Sequence, residues 1–220
     1  MTPITAVLFD YGMVLSGPPD PAAWARLRSI TGFDEERLHG SYWAHRHPYD
    51  RGDLTASAYW QKVARHNASD ESALFSPSQL EKLIAADVDL WSQVNQPMLE
   101  WAQSLQRAGI PTGILSNIGD AMSEGLVSRF DWLGSFSHRT WSHAHNLAKP
   151  EPAIYHLAAD GLHTPPENVL FIDDRIENIN AAIAVGMHTI QYLDHTTFEA
   201  EMQRRGLAYL LNPADALPPA

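Results

Sequence analysis

The sequence of 220 residues predicts an α/β protein, in which a parallel β-sheet is flanked by helices and interrupted by one block of four helices. Short apolar runs recur along the chain, and such runs are typical of strands that are buried on both faces of a parallel sheet. Helical patterns separate these runs, as the right-handed crossovers between parallel strands require. The five predicted strands lie at residues 5–15, 112–116, 136–141, 169–173 and 188–192.

The helical block occupies residues 17–95, which we call the cap. Ser16-Gly17-Pro18-Pro19 breaks regular structure before it, and Asn95-Gln96-Pro97 closes it. The last cap helix begins at a capping serine, Ser76 or Ser78. The four cap helices are predicted at residues 22–31, 33–45, 56–66 and 78–94.

The remaining residues form an α/β core, predicted at residues 1–16 and 96–212. The first core helix stops at Gly109, since glycine is the common residue just past a helix end. The Pro- and Ala-rich residues 213–220 are expected to form a frayed tail. The core helices are predicted at residues 98–108, 119–130, 151–160 and 177–185.

The composition excludes several classes of function. There are 15 Lys and Arg against 26 Asp and Glu, and the formal charge of -11 argues against nucleic acid or an anionic membrane as the main partner. The chain has no cysteine, and therefore no disulfide, thiol nucleophile or thiolate metal site. No apolar stretch approaches the roughly 20 residues that span a bilayer, and Met1-Thr2-Pro3 lacks the basic region of a signal peptide. A cytoplasmic location is therefore expected.

Polar residues stand at the carboxyl ends of three predicted strands. The apolar part of the first run ends on Asp10, the second run ends on Ser116, and the fourth run ends on Asp173 and Asp174. In open α/β sheets ligands bind just beyond these strand ends, so we expect the polar residues to meet in one crevice. Two neighbouring carboxylates repel each other unless a cation is present, which favours a hard divalent ion such as Mg²⁺.

Together with Lys149 of the segment Lys149-Pro150-Glu151-Pro152, these residues resemble in chain order the four signature motifs of the haloacid dehalogenase-like (HAD) superfamily. The resemblance extends from Val7 to about Tyr192. Asp173-Asp174-Arg175, followed by Asn178, is similar to the phosphatase members that carry a small helical cap. The resemblance implies a Rossmann-like parallel sheet core with an inserted four-helix cap.

The resemblance also implies a catalytic set. Asp10 matches the family nucleophile, which attacks phosphorus and forms an aspartyl-phosphate. Lys149 matches the lysine that neutralises the nucleophile and the phosphoryl charge. Ser116 and the backbone amide of Asn117 match the donors that bind the phosphoryl oxygens.

A Mg²⁺ site is implied in the same way. Asp10 and Asp174 match direct ligands of the ion, together with the backbone carbonyl of Gly12. Asp173 matches the residue that orients a metal-bound water or braces the lysine. Asn178, about one turn further along the chain, is a candidate for holding the metal shell.

Gly12 departs from the family pattern. The phosphatases usually have a second aspartate at this position, where it protonates the leaving alkoxide and later activates water. Glycine cannot transfer a proton, and general acid–base catalysis is typically worth about 10²–10⁴-fold in rate. Either a cap histidine, His45 or His47, replaces the acid, or the substrate has a leaving group that needs little protonation, such as a sugar 1-phosphate.

The cap segment 42–52 is the second place where the substrate is expected to bind. It concentrates aromatic residues, histidines and arginines, and in helical-cap members a loop at about this place enters the active site and contacts the leaving group. The candidate substrate-binding residues are Arg46, His47, Tyr49 and Arg51.

With this resemblance, the sequence predicts a Mg²⁺-dependent hydrolase of a phosphomonoester. The substrate is expected to be a small metabolite, because a cap over the crevice would exclude a macromolecule. One alternative is a 2-haloacid dehalogenase, which attacks carbon and needs no metal; the carboxylate pair Asp173-Asp174 speaks against it. The other is a protein that keeps Asp10, Asp174 and the metal but, lacking an acid at Gly12, binds a phosphorylated ligand without turning it over.

Overall fold

The computed structural model describes residues 3–66 and 74–213. Its centre is a five-stranded sheet in the order β3-β2-β1-β4-β5, and every neighbouring pair is parallel. This confirms the predicted fold class. The strands are β1 Ala6–Phe9, β2 Thr112–Ser116, β3 His138–Trp141, β4 Val169–Asp173 and β5 His188–Gln191.

Helices occupy most of the remaining described residues. Five of them fall within the cap, and none of the described helices is long and apolar enough to span a membrane. The helices are α1 Pro21–Thr31, α2 Glu35–Ala44, α3 Arg46–Arg51, α4 Ala56–Arg65, α5 Pro77–Leu90, α6 Gln96–Arg107, α7 Asp120–Arg129, α8 Ser142–His145, α9 Pro152–Gly161, α10 Ile176–Ala184 and α11 His195–Arg204.

The sheet is buried on both faces, which explains the continuous apolar runs. Successive strand residues point to opposite faces. Phe9 packs on one face beside Trp101 of α6, with ring centroids 5.3 Å apart. Leu8 packs on the other face in a cluster with Tyr155 of α9. Burial on both faces therefore explains why β1 and most of β4 are apolar.

The first strand is shorter than predicted. β1 ends at Phe9, whereas the sequence predicts a strand that extends to residue 15. The Asp10 side chain accepts a hydrogen bond from the backbone N–H of Tyr11 and caps the turn that follows. The turn is closed by the Ser16 N–H, which donates to the Tyr11 carbonyl at 2.7 Å. Asp10 and Gly12 therefore leave the sheet at its carboxyl edge.

Three helices were not expected from the sequence, namely α3, α8 and α11. α3 and α8 have six and four residues, too few to give a visible apolar periodicity. α3 lies inside segment 42–52, where the sequence predicts a loop, so the cap contains five described helices instead of four. Residues 214–220, most of the predicted tail, lie outside the described residues.

The cap helices surround an apolar cluster of their own. Trp60 is fully buried in this cluster, together with Leu27 of α1, Tyr59 of α4 and Leu83 of α5. α5 begins at the expected Ser76, whose side chain and Gln79 form a reciprocal capping box. The cap is therefore held together by its own packing rather than by the sheet alone.

α3 packs against α8 of the core. Gly52, which follows α3, has φ of +91°, and a Cβ there would overlap the backbone carbonyl of His143. The Ser142 hydroxyl also donates to the backbone carbonyl of Asp50. The close backbone approach at Gly52 and the Ser142 hydrogen bond therefore hold α3 against the core.

This contact predicts the effect of Gly52→Ala. The substitution should lower the free energy of unfolding by about 1–3 kcal/mol, since it combines a left-handed backbone with a steric overlap. Gly32→Ala is the matched control, because Gly32 also has positive φ (+70°) but open space around its Cβ. Urea unfolding of both variants measures the difference; equal losses would contradict the close contact between α3 and the core.

Candidate active site

The residues at the strand ends meet at the carboxyl edge of the sheet. Lys149, in the loop before α9, lies between two carboxylates. Its Nζ is 2.8 Å from Asp10 Oδ1 and 2.6 Å from Asp173 Oδ2. All three side chains are at most 10% exposed. The expected crevice is therefore present, with the lysine at its floor.

The crevice carries more negative than positive charge. Burial raises the pKa of Asp10 to about 7, against the opposing effect of the Lys149 ammonium, and Asp173 and Asp174 raise it further. Burial lowers the pKa of Lys149, but Asp10 and Asp173 outweigh it and raise the pKa above its usual value. Three carboxylates thus face one ammonium, which leaves a surplus of two negative charges when all are ionised.

Both carboxylate oxygens of Asp173 accept hydrogen bonds from other groups of the protein. Its Oδ2 accepts from Lys149 Nζ, and its Oδ1 accepts from the backbone N–H of Arg175 at 2.8 Å. Asn178 Nδ2 lies 3.0 Å from both oxygens. Asp173 therefore braces Lys149, and Asn178 holds Asp173. The expected part of Asn178 in holding the metal shell stays a prediction.

Asp174 differs from Asp173 in having no such partners. Within residues 3–66 and 74–213, no other side chain donates a hydrogen bond to its carboxylate. Burial raises its pKa, and the charge of Asp173 adds to this effect. Asp10, Asp173 and Asp174 each offer an oxygen, and these oxygens lie within 4.8 Å of one another. Such a donor set suits a hard divalent cation.

Gly12 lies in the cavity beside these acids, in an ordinary backbone conformation. Its φ and ψ are -62° and 130°, values that any L-residue adopts, and a Cβ built there meets nothing within 4 Å. The glycine is therefore not required by backbone geometry at this position. Its backbone carbonyl is the group it can offer to a ligand.

Ser116 and Asn117 occupy the end of β2, where the sequence places them. Ser116 is 3% exposed and lines the cavity. The side chain of Asn117 has a role the sequence did not indicate: its Oδ1 accepts from the Lys149 N–H at 2.7 Å, and its Nδ2 donates to the Lys149 carbonyl at 2.8 Å. Asn117 therefore fixes the backbone that presents the lysine.

The cavity above the crevice has a volume of about 450 Å³. Of the four cap residues expected to contact the substrate, Arg46 and His47 line it, whereas Tyr49 and Arg51 do not. Tyr49 stacks on Tyr59 with centroids 4.7 Å apart and covers Gly119 of the core. Arg51 forms ion pairs with Asp53 and Glu151. These two residues attach the cap to itself and to the core.

Arg46 is engaged in a buried network rather than free to meet a ligand. Its Nε donates to Asp50 at 2.9 Å, and its Nη1 lies 3.1 Å from Asp87 Oδ2. The Tyr42 hydroxyl donates to Asp87 at 2.7 Å and accepts from Trp91 Nε1 at 3.0 Å. The guanidinium charge is therefore already balanced within the cap.

Sequence reasoning missed several residues of the cavity. Asp50 contributes a carboxyl that is 13% exposed, and burial raises its pKa to about 7 although Arg46 opposes this. The i, i+4 spacing of Arg46 and Asp50 is the signal that could have indicated the pair. Met13, Trp43 and Trp91 also line the cavity. His45, in contrast, does not line it and packs against His66.

Comparison with known proteins identifies the class. The family model of the haloacid dehalogenase-like hydrolases matches residues 18–186, which include Ser116, Lys149 and the acid pair Asp173-Asp174. The chain belongs to this family of hydrolases. The matched segment begins after Asp10 and Gly12.

Curated relatives carry different activities in their names. The chain is 28% identical over 229 residues to bifunctional epoxide hydrolase 2 of Sus scrofa, a match that covers 98% of this chain and 41% of that protein. It therefore spans about two fifths of that relative's length. It is 26% identical over 200 residues to (S)-2-haloacid dehalogenase 1 of Pseudomonas sp. (strain CBS-3), with 87% of this chain and 85% of that protein covered.

Solved structures share the fold. A HAD family enzyme from Bacteroides thetaiotaomicron, determined in complex with magnesium and inorganic phosphate, has a TM-score of 0.69 and 21% identity, and the match covers 89% of this chain and 98% of that one. This similarity agrees with the parallel sheet and the inserted helices.

Proposed function

We propose that this hydrolase is a Mg²⁺-dependent phosphomonoesterase that acts on a small metabolite through an aspartyl-phosphate on Asp10. The observation that carries the proposal is the cluster of Asp10, Asp173 and Asp174 around one ammonium, in which no other side chain of the described residues donates a hydrogen bond to Asp174. A phosphoryl dianion cannot approach such a crevice unless a further cation is bound there. A cavity of about 450 Å³ suits a small substrate.

The donor set fits Mg²⁺, which takes one or two carboxylates, waters and phosphate oxygens as ligands. The residues that would hold the ion are Asp10, Asp174 and the backbone carbonyl of Gly12. Asp173 is less suited to direct coordination, since Lys149 and Asn178 already occupy its oxygens. When bound, the ion neutralises charge on the phosphoryl group and on the nucleophile.

The residues of the chain perform the bond changes in two steps. An Asp10 carboxylate oxygen attacks phosphorus, and the ester P–O bond breaks with its electron pair going to the leaving alcohol oxygen. Water then attacks the phosphorus of the aspartyl-phosphate, and the bond from phosphorus to the Asp10 oxygen breaks with its electron pair going to the Asp10 carboxylate. The proton that the water loses passes through solvent to the alkoxide released in the first step, so the products are the alcohol, inorganic phosphate and free Asp10. Lys149 and the Ser116 hydroxyl supply positive charge and a donor for the phosphoryl oxygens throughout.

Dehalogenation is the second candidate, because the Pseudomonas haloacid dehalogenase matches most of both chains. In that reaction Asp10 would attack carbon and expel halide. The substrate of such a reaction is itself a carboxylate, and the negative charge of Asp174 would repel it. Because dehalogenation needs no metal, Asp174 would have no part in that reaction. We therefore rank the phosphatase above the dehalogenase.

We expect EDTA to abolish phosphate release from p-nitrophenyl phosphate and excess Mg²⁺ to restore it. Asp174→Asn should raise the Mg²⁺ concentration needed for half-maximal activity, since it removes a charged ligand. Asp131→Asn, an exposed acid outside the cavity, is the control and should behave as the parent protein. Colorimetric phosphate release measures all three.

The same experiment separates the rivals. Halide release from 2-chloropropionate in the presence of EDTA, without phosphate release, would replace the phosphatase by a dehalogenase. Saturable binding of inorganic phosphate in Mg²⁺ without turnover of any ester would indicate the phospho-ligand-binding alternative.

A further inference from the structure

The lining of the cavity includes five apolar side chains, which we call the apolar wall: Met13, Trp43, Trp91, Ile118 and Met122. Two of these side chains are unusually accessible, with Trp43 47% and Met13 38% exposed. Single exposed apolar residues are common on protein surfaces. Here both side chains line the cavity that also contains Asp10, the proposed nucleophile.

Met13, a residue of this wall, has a backbone conformation that is more favourable for glycine. Its φ is +59°, in the left-handed region that costs free energy for any residue with a Cβ. The turn imposes this angle: the Met13 N–H donates to Ser16 Oγ at 3.1 Å, next to the closing bond between Ser16 and Tyr11. A large side chain is thus kept at the cavity where glycine would be unstrained.

Trp91 gives the wall a fixed aromatic surface. Its Nε1 donates to the Tyr42 hydroxyl at 3.0 Å, and its carbonyl accepts from the Tyr11 hydroxyl at 3.0 Å. Trp43 meets it edge to face, with ring centroids 6.4 Å apart. Aromatic rings arranged in this way offer both a face and an edge to a planar guest ring.

Three of the charged side chains that line the cavity are paired with other groups of the protein. Arg46 and Asp50 are paired with each other, and Arg175 is paired with Glu177. The described residues provide no hydrogen-bond partner for the His47 imidazole or for the indole N–H of Trp43, which also line the cavity. A sugar would bring several hydroxyls that need partners, whereas an aromatic ring needs none.

We propose that the leaving group of the substrate is an aromatic alcohol, so that the enzyme hydrolyses aryl phosphates. This inference rests on the proposed phosphatase function and deepens it. The wall of Met13, Trp43 and Trp91 binds the ring, while the phosphoryl group lies at Asp10 and Lys149.

The chemistry of Gly12 supports the same substrate class independently. The P–O bond to the leaving group breaks with its electron pair on that oxygen, and no side chain at position 12 can protonate it. A phenol has a pKa of about 10, far below the value of about 15.7 for water, which simple alcohols resemble. A phenoxide therefore leaves without a proton donor, which a simple alkoxide does not do readily.

The test compares esters that separate ring recognition from leaving-group acidity. Phenyl phosphate is compared with hexafluoroisopropyl phosphate, an alkyl ester whose alcohol is about as acidic as a phenol, and with glucose 1-phosphate. We expect kcat/KM for phenyl phosphate to exceed both by about tenfold or more. Equal values for the two acidic esters, or a preference for the sugar ester, would overturn the inference.

Substitutions in the apolar wall test whether the wall binds the aromatic ring. Trp43→Ala and Met13→Gly should each lower the ratio of kcat/KM for phenyl phosphate to that for hexafluoroisopropyl phosphate by about tenfold. Met13→Gly keeps the fold, because glycine adopts φ of +59° without strain. Leu193→Ala, which removes a 69% exposed side chain outside the cavity, should leave the ratio unchanged. An unchanged ratio in both wall variants would contradict the inference.

Acetyl phosphate distinguishes this failure from failure of the proposed function. It carries no ring, and its leaving group is a carboxylate that needs no proton. Hydrolysis of acetyl phosphate in Mg²⁺ without selectivity for phenyl phosphate would remove the aryl inference and keep the phosphatase. No hydrolysis of acetyl phosphate or any other ester would remove both.

Discussion

Asp10→Asn is expected to abolish turnover of every phosphate ester, by at least about 10³-fold, because an amide oxygen is a very poor nucleophile. The fold should be kept. The asparagine oxygen can still accept from the Tyr11 N–H, which donates to Asp10 Oδ1 at 2.7 Å. The variant also removes one of three clustered carboxylates, and burial already disfavours the charge of Asp10 by raising its pKa to about 7. Phosphate release measures the loss of turnover, and thermal unfolding measures whether the fold is kept.

The covalent role of Asp10 has its own test in the parent protein. Beryllium fluoride forms an acyl-phosphate mimic on a nucleophilic carboxylate, and ¹⁹F NMR should detect this adduct in the parent but not in Asp10→Asn. Asp194→Asn is a suitable control, because Asp194 caps α11 and lies outside the cavity. Turnover by Asp10→Asn at the parent rate would mean that another group attacks phosphorus.

Gly12→Asp is expected to accelerate hydrolysis of simple alkyl phosphates by about 10²–10⁴-fold, the usual contribution of a positioned general acid. Aryl and acyl phosphates should gain much less, since their leaving groups need little protonation. The structure allows the substitution: Gly12 has φ of -62°, and a Cβ meets nothing within 4 Å. A plot of log kcat/KM against leaving-group pKa should be steep in the parent protein and flatter in the variant.

Gly12→Asn is the matched control, because it adds a side chain of the same size that cannot donate a proton as an acid does. It should leave the steep dependence in place. A flat dependence in the parent protein would mean that the cavity already holds a proton donor. Asp50 would then be the first residue to replace, since burial raises its pKa to about 7 despite Arg46. In that case alkyl phosphate rates would fall as the pH rises through about 7, and Asp50→Asn would remove them.

The sheet and the strand-end residues are the parts that the sequence predicts well. Burial on both faces makes the runs that end near Phe9, Ser116 and Asp173 largely apolar, and this pattern is visible in the sequence itself. Parallel strands carry their carboxyl ends to one edge, so the meeting of Asp10 with Asp173 follows from the order of elements. Only Lys149 depends on a loop, and Asn117, 32 residues away, fixes that loop through its side chain.

The cap is where the sequence is least informative. Arg46 and Tyr49 stand next to His47 in a segment expected to contact substrate, and nothing local tells their roles apart. The partner that occupies the Arg46 guanidinium, Asp87, is 41 residues away in the chain. The short helix α3 also turns the side chain of Tyr49 onto the core and away from the cavity.

By itself, the sequence therefore determined the parallel α/β sheet, the inserted helices and the meeting of Asp10 with the acid pair, because these depend on periodicity and on strand direction. Only the tertiary structure decided that Asp173 braces Lys149 while no other side chain of the described residues donates to Asp174, and that Trp43 and Met13 line the cavity. The physical reason is that hydrogen-bond saturation and exposure of a side chain depend on groups distant in sequence, and adjacent residues of the same type can meet opposite surroundings.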